Sequence, residues 1–208
     1  MDSLHAPIPS LVATRFARHG RLPRSPLAAL LLVTSVLATS AWAQDLTIVG
    51  YTNGCFGRGC TVPDSGGEFQ TATLGGLVFA NSRIREPLAG QALALNGPAV
   101  FPTAQNTNNL GSFFLGSDPF SYTGKRFMLR LTLVPPFHML RDTSAMVGAT
   151  LKVRAAGEEG SPGSLTITFD KLPIRLTGTQ TVTISLSNVT LLANGDEQPI
   201  VATIERRP

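Results

Sequence analysis

The side chains able to do chemistry are few, and their spacing fits little of it. A Ser/His/Asp relay needs an imidazole, and beyond residue 43 the only one is His138, with Asp142 four residues on and Asp170 further along. No Gly-x-Ser-x-Gly turn is present to expose a nucleophile, so no catalytic residue is assigned. Glycoside hydrolysis would need two carboxylates held across a cleft, drawn from Asp142, Glu158, Glu159, Asp170, Asp196 and Glu197. Most of these sit in turn-like stretches, where acidic side chains are ordinarily just solvated. Histidine and cysteine ligands for a transition metal are lacking. No metal site and no cofactor are therefore expected, beyond a structural calcium that loop oxygens around Asn194, Asp196 and Glu197, or at Asp64, could supply.

Cys55 and Cys60 lie in Asn53-Gly54-Cys55-Phe56-Gly57-Arg58-Gly59-Cys60. In an exported chain a pair at this spacing is expected to form a disulfide. Gly54, Gly57 and Gly59 offer the positive-φ freedom that so small a ring requires. One reading is a stapled surface turn; the sharper one holds Phe56 and Arg58 outward as a candidate contact tip. The C-x-x-C spacing of a redox motif is absent, and a zinc site would need two further ligands.

Export is what the first 43 residues predict. Arg15, Arg18, Arg21 and Arg24 precede an apolar run, Leu27–Ala38, and Ala41-Trp42-Ala43 then makes a small-x-small cleavage signature before Gln44. The apolar run has the length of a signal core and falls short of the ~20 residues that cross a bilayer. This leader holds four of the 17 basic residues and one of the 13 acidic ones. Residues 44–208 keep 13 and 12, so a formal charge of +4 falls to +1. A basic footprint for nucleic acid is thereby excluded as a default. About 165 residues remain, a single domain's worth of chain.

Alternation with a period of two dominates that domain. In Arg126–Leu133 the Phe and Leu side chains share one face, while Arg126, Arg130 and Thr132 take the other. The same cadence recurs in 147–154, 165–169 and 181–186. Each is expected to be a strand with one buried and one wet face. Weaker strand candidates are 46–52, 69–73, 77–80, 91–95, 112–115, 173–177, 189–193 and 200–205. Breaker clusters at 64–67, 157–163 and 194–196 punctuate them. No stretch beyond the leader shows an apolar stripe of helical period and length. The predicted fold is all-β, an antiparallel β-sandwich, with a barrel as second choice. Pro135-Pro136 must end a strand. Residues 96–111, with Pro98, Pro102 and five Asn or Gln residues, form the longest polar connection, a length that in a compact domain signals function or disorder.

Sugar-binding platforms usually present flat aromatic faces, and no Trp follows residue 43. Phe127 and Phe169 fall on expected core faces, which leaves Phe56, Phe101, Phe113, Phe114, Phe120, Phe137 and Tyr122 as candidate surface aromatics. Phe113-Phe114 must put one ring on each face of its strand. Asn188-Val189-Thr190 fits a glycosylation acceptor, in a chain rich enough in Thr to produce one by chance.

Three segments carry a family resemblance: Leu110–Leu115, Tyr122–Pro135 and Leu165–Asp170. Their "Leu-Gly-Ser-Phe" strand, "Tyr-x-Gly-x-x-Phe" hairpin and "Ile-x-Phe-Asp" strand resemble a loose group of exported bacterial β-sandwich proteins of unknown function. Some members of that group end in a PEP-CTERM sorting anchor. The resemblance implies a β-sandwich fold and a surface location, and it supplies no catalytic residues. Residues 204–208, Ile-Glu-Arg-Arg-Pro, lack the Pro-Glu-Pro motif, apolar helix and basic tail of that anchor.

The expectation is thus a signal peptide, 1–43, followed by one β-sandwich domain, 44–208, secreted or periplasmic. It would act without catalysis as a binding, adhesion or envelope-associated module. Its partner would be an envelope or extracellular protein or glycan, with no nucleic acid and no stable membrane span after processing. Contact elements are expected at the Cys55–Cys60 tip and the loops at 96–111 and 135–146, because loops on rigid scaffolds carry recognition. The alternative is a small extracytoplasmic hydrolase or an accessory carbohydrate-binding domain. Fold alone does not choose between these.

Overall fold

The structure, a computed structural model, describes residues 46–88, 90–100, 103–116, 121–134, 144–154, 163–177, 181–193 and 195–207. The leader and its cleavage site lie outside them. The described residues form strands and turns without helix. In chain order the strands are β1 (Leu46–Phe56), β2 (Thr71–Leu74), β3 (Leu77–Ala80), β4 (Ser82–Leu88), β5 (Ala92–Leu95), β6 (Asn106–Thr107), β7 (Ser112–Leu115) and β8 (Arg126–Val134). They continue with β9 (Ser144–Arg154), β10 (Ser164–Phe169), β11 (Ile174–Thr177), β12 (Thr181–Leu186), β13 (Val189–Leu192), β14 (Asp196–Pro199) and β15 (Ala202–Arg207).

A seven-stranded sheet runs β13-β10-β9-β8-β1-β4-β6 and curls into a half-barrel. Two four-stranded sheets, β11-β12-β15-β5 and β14-β7-β3-β2, complete the sandwich. All pairings are antiparallel except the short β4–β6 contact. The four-stranded sheets are joined where the chain passes from β14 through buried Ile200 into β15. Ile200 N donates to Gly111 O at 2.7 Å, and Leu110 N to Ile200 O at 2.9 Å. Strands that switch sheets at such a corner are a common way to close two layers.

The expected alternation is the cause of this architecture. Along β8, Phe127, Leu129, Leu131 and Leu133 are buried while Arg126, Met128, Arg130 and Thr132 are not. Register carries that face across the sheet: Leu129 stands opposite Val147, and Ile167 opposite Leu151, all buried. At one end of the core Phe56, Phe79, Phe113 and Phe127 cluster with ring centroids 4.9–6.3 Å apart, each pair adding about 0.5–1.5 kcal/mol beyond area burial. Gly54 makes the cluster feasible. A Cβ there would stand 2.5 Å from Cζ of Phe127 and 2.8 Å from Cε1 of Phe79. Its role is space, not the turn freedom its neighbours suggest: Gly54 is a strand residue, whereas Gly57 and Gly59 have φ of 109° and 71°.

Three strands depart from the sequence expectation. β4 carries Arg83, Arg85, Glu86 and Pro87 among its seven residues, and only Ile84 and Leu88 mark an apolar face. β14 follows the Gly195 turn and opens with Asp196, Glu197 and Gln198, yet pairs with β7 over Asp196–Pro199. β6 is two residues long and lies in the 96–111 connection.

Candidate functional site

The 96–111 connection is built inward. Asn106 and Asn109 are both fully buried. Asn106 Nδ2 donates to Ala80 O and Asn81 O, each at 3.2 Å, and to Ser112 Oγ at 3.0 Å, while its Oδ1 accepts from Val100 N. Asn109 Nδ2 donates to Gly97 O and Pro98 O, and Gly111 N donates to its Oδ1. Buried amides satisfied in this way fix a loop as firmly as a strand pairing does. The described part of this loop is therefore a structural clamp.

A second covered region lies on the outer face of β1. The disulfide Cys55–Cys60 is formed, with Cα atoms 6.1 Å apart. Cys55 stands opposite Met128, so the staple sits on the outer face and directs residues 57–70 back across it. Asn53 is consequently buried although it points away from the core: Ser65 Oγ and Asn81 Nδ2 both donate to its Oδ1 at 3.0 Å. Asn81 Nδ2 also donates to Glu68 O, and Gln70 N to Asn81 Oδ1. The residues of the candidate tip separate. Arg58 is exposed, whereas the Phe56 ring turns inward to within 5.0 Å of Phe127.

Beside this crossing segment the outer faces of β4, β1 and β8 stay open. Opposed residues in antiparallel strands share a face, so the register sets two rows: Arg83–Tyr51–Thr132 and Arg85–Val49–Val134. Tyr51, Arg83, Val49, Arg85 and Val134, together with Gly66 and Gly67, line an open concavity of about 300 Å³. Arg83 Nε donates to Gly67 O at 2.5 Å. Gly67 lies against the Tyr51 side chain so closely that a Cβ would come within 3.3–3.4 Å of it. Tyr51 Oη donates to Asp64 Oδ1 at 3.0 Å, and Asp64 Oδ2 lies 3.6 Å from Arg130 Nη1. Val49 and Val134 are 37% and 52% exposed, an apolar floor beside two guanidinium groups. A second hollow, about 250 Å³ between β5, β12 and β15, is lined by Ala, Leu, Val, Ser, Thr and Asn and carries no charge.

The other expected groups are placed as follows. Asp170 pairs with Arg126, which also bonds Thr150 Oγ1. Asp196 accepts from Leu192 N and Gln198 Nε2 within its own hairpin. Glu197 is half-buried; burial raises its carboxyl above the ordinary range, and a hydrogen bond with Ser112 draws it part of the way back. His138, Asp142, Glu158, Glu159, Asn194, Phe101, Phe120 and Phe137 lie outside the described residues. Among the described residues no group of three or more His, Cys, Asp or Glu is gathered to hold a metal, and no helix is long and apolar enough to cross a membrane. Tyr122 and Phe113, candidates for the surface, are core residues at 4% and 0% exposure. Asn188 is exposed, with its Oδ1 accepting from Phe169 N at 3.2 Å.

Sequence reasoning does not select Tyr51, Arg83 and Arg85. The available signal is Arg83-Ile84-Arg85, two cations flanking one apolar residue, the pattern of a strand with a charged outer face. No protein-family model, curated protein or solved structure matches the chain. The fold therefore defines its class, an all-β sandwich, and the geometry of the open face is what bears on function.

Proposed function

We propose that this protein is an exported, non-catalytic binding module that presents the outer face of β4, β1 and β8 to an extracytoplasmic partner. The observation that carries the reading is the concavity itself. Exposed arginines, a tyrosine and two exposed valines are gathered on a sheet face, with long-range hydrogen bonds and a disulfide stiffening its margin. Sites of this kind, apolar with a few fixed polar groups, are where ligands bind. Export rests on the basic, apolar and Ala-x-Ala pattern of the leader, and the disulfide is the chemistry of an oxidising compartment.

The test is retention by the full chain, disulfide intact, of components from envelope extract and from a glycan panel. The parent is compared with Val134→Glu, which places a charge on the open face at an exposed position. Retention by the parent that is lost in the variant, at equal melting temperature, supports the reading. Retention that Val134→Glu leaves unchanged overturns it.

A further inference from the structure

We propose that the concavity takes the carboxylate of a sugar acid, so that the module's ligand is a uronate-bearing glycan. This assignment rests on the reading that the β4–β1–β8 face is where the module binds. Arg83 and Arg85 are two residues apart on one strand and on one face, so their Cα atoms are separated by about 6.6 Å. Their cross-strand neighbours on β1 are Tyr51 and Val49, not carboxylates. Neither arginine takes part in the Arg126–Asp170 or the Arg130–Asp64 ion pair. Two like charges held side by side raise the energy of the free protein, and an anion bound between them removes that repulsion. The bond from Arg83 Nε to Gly67 O fixes one edge of its guanidinium while using a single one of its five donors. A fork held in this way suits a planar carboxylate, which it can meet through two parallel hydrogen bonds.

The surrounding groups narrow the class of anion. Asp64 stands at the rim, attached to Tyr51 Oη and near Arg130, with its side chain 66% exposed. A doubly charged phosphate would meet this carboxylate at close range. A singly charged carboxylate flanked by hydroxyl groups would meet an acceptor for those hydroxyls. Val49 and Val134 supply an apolar surface for the C–H face of a sugar ring. The volume, about 300 Å³, is at the small end of ligand clefts and leaves room for a short stretch of saccharide. A nucleic-acid strand fits less well, since its bases need an open aromatic face and Tyr51 is packed against Gly67.

Binding of trigalacturonate and of trimannuronate to the full chain would be measured by calorimetry at low salt, with methyl-esterified trigalacturonate and oligodeoxythymidylate as comparisons. The acid forms should bind at least tenfold more tightly than the ester. Arg83→Gln with Arg85→Gln should cost a further tenfold or more at unchanged melting temperature, because both side chains are exposed. Arg175→Gln, exposed on β11 in a different sheet, should change nothing. Equal affinity for acid and ester, or no loss in the double variant, overturns the assignment. If the ester binds equally well and Val134→Glu abolishes that binding, the sugar-acid class falls while the binding face stands. Tighter binding of oligodeoxythymidylate replaces the glycan with a nucleic acid. Failure of both acid probes also overturns the assignment, and the retention experiment with Val134→Glu then decides the face on its own.

Discussion

Asn81 Nδ2 lies 3.0 Å from Oδ1 of Asn53, and both side chains are buried, at 0% and 1% exposure. This one contact ties β1, inside the seven-stranded sheet, to the single residue through which the chain passes from β3 to β4 and from one sheet to another. Asn81 extends it outward, donating to Glu68 O and accepting from Gln70 N. Gln105 Nε2 adds a bond to Gly67 O at 2.8 Å, so the backbone that anchors Arg83 is itself held from a second side. The open face is thus supported by the buried amides beneath its margin.

Removing such an amide strands the groups it served. Asn81→Ala leaves Gln70 N without its acceptor and takes one of two donors from both the Glu68 carbonyl and Asn53 Oδ1, each of which keeps Ser65 Oγ. With about 1–3 kcal/mol for a group left unpaired, and the two lost donor bonds added, a loss of about 2–4 kcal/mol is expected. Urea unfolding should show a lower midpoint with an unchanged slope. An Asn81→Ala variant within 0.5 kcal/mol of the parent would mean that this network does not hold the margin.

Gly54 gives a packing prediction of opposite character. Gly54→Ala inserts a methyl group where Phe127 and Phe79 already stand. Both rings are themselves fully buried, Phe127 at 0% and Phe79 at 1% exposure, with no room to retreat, so about 1–3 kcal/mol should be lost through overpacking. The aromatic near-ultraviolet dichroism should change at the same time. Asn81→Ala, distant in chemistry from the rings, should leave that signal alone.

The strands that were legible in the sequence are those where burial alone decides the pattern. Arg126–Val134 and Leu165–Phe169 alternate because one face meets the core and the other meets water. β4 was hidden by Pro87 and by three charged side chains: Arg83 and Arg85 stand on the open outer face, whereas Glu86 has the parity of Ile84 and Leu88 and is accommodated by a hydrogen bond from Asn108 Nδ2. β14 was hidden because its pairing with β7, about eighty residues earlier, is a long-range choice that no local propensity encodes. The open face suffered most from this. Tyr51, Arg83 and Val134 become neighbours only through the β1–β4 and β1–β8 registers, and a one-residue slip in either would send one of them to the core. The same limit hid the direction of Phe56, whose ring follows its strand's inner face and not the turn that follows it.

The disulfide should stabilise modestly. Closing so short a loop restricts the unfolded chain little, and the chain-entropy estimate is about 2 kcal/mol. Cys55→Ser with Cys60→Ser should lower the unfolding free energy by about that amount. Because residues 57–70 cover Asn53, limited proteolysis should then cut this segment before any other described loop. Equal cutting rates in parent and variant would show that Ser65 and Glu68 hold the segment without the staple.

Gly148 relates directly to the Arg126–Asp170 pair. A Cβ at 148 would stand 2.6 Å from Nη2 of Arg126 and 3.0 Å from Oδ2 of Asp170. Both are far ends of side chains, about a third exposed, so the fold can accept an alanine while the pair cannot keep its place. A double-mutant cycle with Arg126→Gln and Asp170→Asn should give about 0.5–1 kcal/mol of coupling in the parent. The same cycle in a Gly148→Ala background should give close to zero. Persistent coupling would mean that the guanidinium has another route to the carboxylate.

Glu197 sets the sign of a pH effect. Burial lifts its folded-state value above that of the unfolded chain, with the Ser112 hydrogen bond opposing. The folded protein therefore holds this proton more tightly than the unfolded chain does. The resulting stability is fully present below the ordinary glutamate range and is lost as pH rises through the raised folded value. Glu197→Gln removes the titration while keeping the shape, so its stability should lie above the parent's at neutral pH, with the gap closing in acid. Thermal unfolding of both proteins in a series of buffers from acid to neutral would read the difference curve directly. A gap of constant size across that range would place the carboxylate in solvent and remove the burial argument for Glu197.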